Sequence, residues 1–214
     1  MKNRKNIQLY CDLDGVLVDF EKGVVELGNT LINLVRNQDF VVNFDKENFD
    51  NDYEYKFYKL AKKLYDQDKC WKDQYTFSDF ESREKGHRAF RDFIYFNISR
   101  DYNWWANLGW TKDGKKLWNS IQKYNPIILS SPVGPNSTKG KKIWCENNLG
   151  LIGDRVIIVD DKGIETDNLP ILIDDRLKSI SQIEKVGGIG ILHTTGQYQK
   201  TLENLNDILN IVKI

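Results

Sequence analysis

The stretch IQLYCDLDGVLVDF, residues Ile7 to Phe20, decides how the rest of the chain is interpreted. It opens with a short apolar run rich in strand-forming residues, which predicts a buried β-strand. Two aspartates one residue apart, Asp12 and Asp14, follow this run directly, and Gly15 comes next. Carboxylates are rarely buried without a partner, and two that lie close together repel each other. The pair therefore needs compensating positive charge from elsewhere in the chain or from a bound cation.

The composition of the 214 residues is that of a soluble globular protein, with 40% hydrophobic and 29% charged residues. Lys and Arg number 31 and Asp and Glu number 31, so the net charge is zero and no nucleic-acid partner is expected. No apolar run approaches the ~18–20 residues of a membrane span, so no membrane partner is expected either. Three cysteines at unpaired spacing, Cys11, Cys70 and Cys145, argue against a disulfide framework or a zinc site and favour a cytoplasmic location.

Four later stretches repeat the pattern of a short apolar run that ends in polar residues. Their length and β-branched content predict strands, and their lack of apolar–polar alternation predicts burial on both faces, as in a parallel sheet. They are PIILSS (126–131), RVIIVDD (155–161), LPILIDD (169–175) and GIGILH (188–193). Helical patterns lie between or after them, at 114–124, 138–149, 176–186 and 199–212. This alternation predicts an α/β fold with a Rossmann-like parallel sheet of about five strands.

Residues 20–105 interrupt the alternation. They hold most of the chain's aromatic residues, carry scattered charge and show no strong strand pattern. Two segments, 51–66 and 83–98, have the spacing of amphipathic helices. We therefore predict a core domain formed by residues 1–19 and 106–214, with a small helical cap, residues 20–105, inserted after the first strand.

The polar ends of the predicted strands should meet, because ligands bind beyond the carboxyl ends of the strands in a parallel α/β sheet. These ends carry Asp12 and Asp14, Ser130 and Ser131, Asp160 and Asp161, and Asp174 and Asp175. Carboxylates crowded at one edge call for a hard divalent cation, and Mg²⁺ is typically held by one or two carboxylates together with substrate phosphate and water. A serine hydroxyl and the ammonium group of a lysine on the next helix would complete a phosphate pocket.

In their order along the chain, these motifs resemble those of the haloacid dehalogenase-like (HAD) phosphohydrolases. The motifs are DLDGV, a strand that ends in serine, a lysine at a helix start, and IDD at a strand end. More narrowly, DLDGVLVDF, ILSSP, KKIWCENNLG and LPILIDDR are similar to those of the 5'(3')-deoxyribonucleotidases, the cytosolic type C 5'-nucleotidases. The resemblance covers the predicted core, about 7–20 and 108–193. It implies a phosphomonoesterase that hydrolyses nucleoside monophosphates through an aspartyl-phosphate intermediate, and it implies a homodimer as one form of the protein.

The resemblance implies a catalytic role for four residues. Asp12 would be the nucleophile, and Asp14 would act first as general acid and then as general base. Ser130 would bind a phosphate oxygen. Lys141 would neutralise charge on the nucleophile and on the transferred phosphoryl group. Two neighbouring residues stay open as alternative phosphate contacts, Ser131 in place of Ser130 and Lys142 in place of Lys141.

The same resemblance implies a Mg²⁺ site at the ends of the first and fourth strands. The ion would be held by the Asp12 carboxylate, the Asp14 backbone carbonyl and the Asp175 carboxylate. Asp174 would be a further or water-mediated ligand. The metal and a lysine together would explain why two aspartates are tolerated at the end of a buried strand.

Further residues are predicted to contact the nucleotide. Phe20, Trp104 and Trp105 fall where the family offers aromatic side chains to the base, and stacking on such a side chain is worth ~1–3 kcal/mol per base. Simple packing is the alternative interpretation for all three. Lys162 either approaches the phosphate or is a solvated loop charge.

Two other functions stay open at this point. The chain could be a HAD phosphatase for another small phosphate ester, or for a nucleic-acid 3'-phosphate end, which would require a basic groove. A signalling receiver domain also combines acidic residues, a hydroxyl and a lysine on a parallel sheet. Receivers, however, place the paired acids after the first strand and the lysine last, which is the reverse of the order in this chain.

Overall fold

A computed structural model describes residues 6–37, 46–66, 75–81 and 88–212 of the chain. At its centre lies a five-stranded parallel sheet, which confirms the predicted α/β fold class. The strands are β1 (Ile7–Cys11), β2 (Ile127–Ser130), β3 (Val156–Ile158), β4 (Leu169–Asp174) and β5 (Ile189–Leu192). Their order across the sheet is β3-β2-β1-β4-β5. The carboxyl end of β1 therefore lies between those of β2 and β4.

The central strand is buried on both faces over its last three residues, Leu9, Tyr10 and Cys11, whereas Ile7 and Gln8 are half-buried. β1 pairs with β4 from Ile7 opposite Leu169 to Cys11 opposite Ile173. Leu9 and Tyr10 point to opposite faces of the sheet, and both are buried. A strand covered on both sides favours apolar residues on both faces, which is why Leu9, Tyr10 and Cys11 follow one another without a polar residue between them.

Helices connect the strands. Within the described ranges they are α1 (Phe20–Asn37), α2 (Asp52–Asp66), α3 (Phe77–Glu81), α4 (Arg88–Arg100), α5 (Tyr102–Ala106), α6 (Gly114–Ile121), α7 (Pro135–Leu149), α8 (Leu177–Lys185) and α9 (Tyr198–Val212). The last four match the predicted helical segments. α7 begins three residues before its prediction, because a proline is well suited to the first turn of a helix. As predicted, Gly150 ends α7, with a φ of 67°.

The chain divides into two compact units, 1–20 with 102–214, and 21–101. The first unit, called here the core unit, contains the whole sheet. The predicted insertion includes Phe20 and residues 102–105, but these residues belong to the core unit. The physical reason is that α5 packs closely against α7. Of the described helices, none is long and apolar enough to cross a membrane.

The second unit, residues 21–101, is built around aromatic side chains. The ring of Phe57 lies 5.2 Å from that of Phe90 and 4.7 Å from that of Phe93. These contacts join α2 to α4, which correspond to the two amphipathic helices predicted in the insertion. The first five residues of the second predicted helix, 83–87, lie outside the described residues.

Candidate active site

A tight loop follows β1 and positions the two aspartates. The Leu13 carbonyl accepts backbone hydrogen bonds from Leu17 and Val18 at 2.8 Å, and the Gly15 N–H donates to the Val18 carbonyl at 2.9 Å. Gly15 has a φ of 75°, which glycine adopts without strain. A Cβ at this position would overlap the carboxylate of Asp175. The loop therefore brings the backbone beside Asp14 directly against the end of β4.

Three carboxylates meet at this edge of the sheet. One ligand oxygen each from Asp12, Asp174 and Asp175 lies within 4.8 Å of the others. Burial, followed by repulsion from Asp12, raises the pKa of Asp174 to about 6 and that of Asp175 to about 7. Carboxylates that are costly to ionise together are suited to a divalent cation, which would remove the repulsion.

The Lys162 side chain lies inside this cluster of acids. It is only 2% exposed, and its Nζ lies 2.6 Å from Asp174 Oδ2 and 2.9 Å from Asp12 Oδ1. Burial acts to lower the pKa of Lys162, but the charges of Asp12 and Asp174 outweigh it and raise that pKa above its ordinary value. The interpretation of Lys162 as a solvated loop charge is therefore wrong. Lys162 is the lysine that contacts the predicted nucleophile.

Lys141 contacts the other aspartate. Its Nζ donates to Asp14 Oδ2 at 2.6 Å, to the Ser131 carbonyl at 2.5 Å and to Ser130 Oγ at 3.3 Å. The resemblance implies that Lys141 neutralises charge on Asp12, but the ion pair to Asp12 comes from Lys162. The reason is geometric, because α7 follows β2 and delivers its lysine to the loop beyond β1, not to the β1 end itself.

The alternatives around these residues differ in burial. Lys142 is exposed on α7, whereas Lys141 is 1% exposed, so the geometry favours Lys141 as the site lysine. Ser130 is buried at the end of β2, and Ser131 is partly exposed and contributes its backbone carbonyl. Two further aspartates, Asp160 and Asp161, are exposed beyond β3.

The carboxylate oxygens at this edge of the sheet are suited to bind a divalent cation. Asp14 Oδ1 is buried and has no hydrogen-bond partner among the described residues. Both oxygens of Asp174 are already engaged, Oδ1 by the Arg176 N–H at 2.8 Å and Oδ2 by Lys162. This leaves Asp12 and Asp175 better placed than Asp174 as direct ligands, which is the ranking that the resemblance implies.

The aromatic residues predicted to contact a base pack against one another. Phe20 and Trp105 are stacked, with ring centroids 5.4 Å apart and planes 16° apart, and they are 6% and 1% exposed. Trp104 meets Phe20 edge-on at 5.9 Å and is partly exposed. The packing interpretation therefore describes Phe20 and Trp105, whereas Trp104 keeps some accessible surface.

Two threonines that the sequence analysis did not single out also support the loop after β1. The Thr195 hydroxyl donates to the Gly15 carbonyl at 3.0 Å, and the Thr111 hydroxyl donates to the Val16 carbonyl at 2.8 Å. Neither threonine belongs to a motif, so the sequence carries no local signal for these contacts.

Comparisons with known proteins give no family assignment. No family model and no curated protein matches the chain. Among solved structures, the chain is similar to a hydrolase from Streptococcus pneumoniae TIGR4, with 11% identity, a TM-score of 0.46, and 97% of this chain and 99% of that one covered. It is also similar to a candidate phosphatase from Clostridium difficile, with 15% identity, a TM-score of 0.46, and coverages of 97% and 100%. Likeness at this level carries no argument about activity.

Proposed function

We propose that the chain is a Mg²⁺-dependent phosphomonoesterase that hydrolyses nucleoside monophosphates, with deoxyribonucleotides as the preferred class. One observation carries the proposal: each aspartate after β1 has its own buried lysine, beside two further carboxylates at the end of β4. A nucleophile, an acid–base group and concentrated positive charge are what phosphoryl transfer requires of a protein.

The two aspartates would act in succession. An Asp12 carboxylate oxygen attacks phosphorus, the bond from phosphorus to the leaving oxygen breaks, and the departing alkoxide takes a proton from Asp14. Asp14 then removes a proton from water, which attacks the aspartyl-phosphate, releases phosphate and restores Asp12. Lys141, 2.6 Å from Asp14 Oδ2, stabilises the carboxylate after its proton has left. Lys162 stabilises Asp12 when phosphate departs.

The chain offers Mg²⁺ the ligands described above. Asp12, Asp175 and the Asp14 backbone carbonyl would hold the ion directly, with Asp174 as an outer ligand. When bound, the ion would neutralise the charge of the carboxylates and of the phosphate. The raised pKa values of Asp174 and Asp175 support this assignment, because a cation relieves the repulsion that causes part of them.

The substrate class rests on different support. The resemblance of DLDGVLVDF, ILSSP, KKIWCENNLG and LPILIDDR to the deoxyribonucleotidases favours a nucleotide. The burial of Phe20 and Trp105 favours a second candidate, another small phosphate ester, because these rings are packed against each other. Both candidates share the same chemistry at phosphorus, and a substrate panel separates them.

The proposal is tested by phosphate release from ribo- and deoxyribonucleoside 5'- and 3'-monophosphates, 2-deoxyribose 5-phosphate and an aryl phosphate. Each ester is assayed with Mg²⁺ and with EDTA. We expect Mg²⁺-dependent release that is greatest with deoxyribonucleotides. Asp12→Asn, which removes the nucleophile and keeps its shape, should lower kcat by at least about 1,000-fold.

Asp154→Asn is the matched control, because Asp154 is exposed and precedes β3, at the opposite end of the strands from the site. This variant should keep the activity of the wild-type protein. Release from the aryl phosphate and the sugar phosphate with none from nucleotides would favour the second candidate. Release that persists in EDTA, or in Asp12→Asn, would contradict the mechanism.

A further inference from the structure

We propose that Trp105 is a positioning residue for Lys141: its indole holds the lysine ammonium against Asp14 and Ser130, and it does not serve as a surface for a nucleobase. The inference rests on the proposed phosphomonoesterase function. It gives Trp105 a role in the reaction that is exerted through Lys141. It follows from the contacts of α5 with α7, both of which belong to the core unit.

The first step is the environment of the lysine ammonium. Lys141 Nζ lies 4.9 Å from the centroid of the Trp105 ring, within the range of a cation–π interaction. Its hydrogen bonds go to Asp14 Oδ2, the Ser131 carbonyl and Ser130 Oγ. An ammonium group has three donors, so these three acceptors use all of them, and the indole lies beside the same group.

The second step is the close approach of the two helices. Gly140 directly precedes Lys141 in α7, and a Cβ at Gly140 would overlap the Trp105 Cβ and the Tyr102 carbonyl oxygen. The α7 backbone therefore touches α5 at this point, which sets the position of Trp105 relative to Lys141. Phe20 stacks on the indole at 5.4 Å and limits its rotation.

The third step is what this contact does to the lysine. A lysine side chain is a flexible four-carbon stem, and it loses considerable conformational entropy when its ammonium is held in one place. The indole, 4.9 Å from Nζ, and the three hydrogen bonds together hold the ammonium in one place, so Lys141 is already oriented toward Asp14. Trp105 is 1% exposed, so its ring offers almost no surface to a base, and we expect its effect on the reaction to pass through the neighbouring Lys141.

The test compares two esters that share the same sugar phosphate. They are a deoxyribonucleoside 5'-monophosphate and 2-deoxyribose 5-phosphate, which has no base. We expect Trp105→Leu to lower kcat by about 10-fold on both esters, and to leave the ratio of their kcat/KM values unchanged within about 2-fold. Trp105→Phe, which keeps an aromatic ring, should lose about 3-fold on both. A loss confined to the nucleotide would overturn the inference, because it would show that the ring contacts the base.

A second measurement separates positioning from general structural damage. In a Lys141→Gln background, Trp105→Leu should lower kcat by less than about 2-fold, because the residue through which it acts is gone. Equal losses with and without Lys141 would overturn the inference. Trp118→Leu is the control for loss of a buried tryptophan, since Trp118 lies on α6, which packs against α9. It should lower Tm and keep kcat.

The remaining outcomes are also decisive. If Trp105→Leu does not fold, the Trp105→Phe comparison on the two esters and in the Lys141→Gln background decides the matter alone. A wild-type protein that releases phosphate from no ester of the full substrate panel would contradict the proposed function and this inference with it. A wild-type protein that hydrolyses both esters, combined with a Trp105→Leu loss on the nucleotide alone, would contradict this inference and leave the proposed function standing.

Discussion

The two aspartates that follow β1 are each paired with a lysine from a different part of the chain. Lys141 comes from α7, and Lys162 from the segment after β3. Removing one member of a buried ion pair is strongly destabilising, because the other charge stays buried without compensation. We therefore expect the pairs to contribute to stability and to the proposed reaction, and a variant at either lysine should reveal both effects.

At the residue scale, we predict that Lys162→Met destabilises the metal-free protein by about 3–5 kcal/mol. The cause is that Asp12 and Asp174, both buried, would lose the cation between them. The free energy of unfolding is measured by urea titration in EDTA. Phosphate release should fall together with stability, since the Asp12 carboxylate would lose its neighbouring positive charge.

Lys178→Met is the matched control for this prediction. Lys178 is exposed on α8, so its loss should change the free energy of unfolding by no more than about 0.5 kcal/mol. If Lys162→Met changes the free energy of unfolding no more than Lys178→Met does, Lys162 does not compensate the charge of the buried carboxylates.

At the scale of elements, two glycines with similar positive φ angles serve different purposes. Gly15, in the loop after β1, has a φ of 75°, and Gly150, at the end of α7, has a φ of 67°. A Cβ at Gly15 would overlap Asp175, whereas a Cβ at Gly150 would meet no atom within 4 Å. The comparison separates the cost of the backbone conformation from the cost of disturbing the site.

We predict that Gly15→Ala and Gly150→Ala both lose about 1–2 kcal/mol to the left-handed backbone conformation. Only Gly15→Ala should also raise the Mg²⁺ concentration needed for half-maximal activity, because it displaces Asp175. Chemical denaturation and Mg²⁺ titrations of phosphate release measure the two effects. Equal Mg²⁺ requirements in the two variants would argue against Asp175 as a ligand.

At the scale of the whole molecule, a chain of zero net charge concentrates acidic groups at one edge of its sheet. Burial and the neighbouring Asp12 raise the pKa of Asp175 to about 7, from an ordinary value near 4. Between about pH 4 and pH 7 the folded state therefore binds more protons than the unfolded state. By linkage, this group makes the metal-free fold less stable as the pH rises through that window.

We therefore predict that Asp175→Asn raises the Tm of the metal-free protein at pH 8 and changes it little at pH 4. The same variant should lose the stabilisation that Mg²⁺ provides to the wild-type protein. Thermal unfolding in EDTA and in Mg²⁺ measures both effects. Burial lowers the pKa of His193, so this group makes the fold more stable as the pH rises toward about 6.5, which is the opposite of the effect of Asp175. The variant is therefore compared with the wild-type protein at each pH.

An Asp175→Asn protein that is no more stable than the wild type in EDTA at pH 8 would show that repulsion at this edge is already relieved by the lysines. A Mg²⁺ response retained in full would show that the ion binds without Asp175.

The sequence by itself determined the sheet, the order of the motifs and the edge at which they meet. Short apolar runs, helix signals and strand ends are local patterns, and they were sufficient to predict five strands and the positions of Asp12, Asp14, Ser130, Asp174 and Asp175 at strand ends. Local chemistry carries this information because burial on both faces of a parallel sheet favours runs of consecutive apolar residues.

Only the tertiary structure decided which lysine faces which aspartate and whether an aromatic ring is covered. Lys141 and Asp14 are 127 residues apart in the chain, and no spacing rule links them. Lys141 and Lys162 follow neighbouring strands, and the sequence allows either of them to pair with Asp12. The packing of α7 and of the segment after β3 decides which one does. The burial of Trp105 depends in the same way on Gly140 and Phe20, which meet it only in the folded chain. Pairings of this kind are set by packing across the sheet, which sequence-local patterns do not encode.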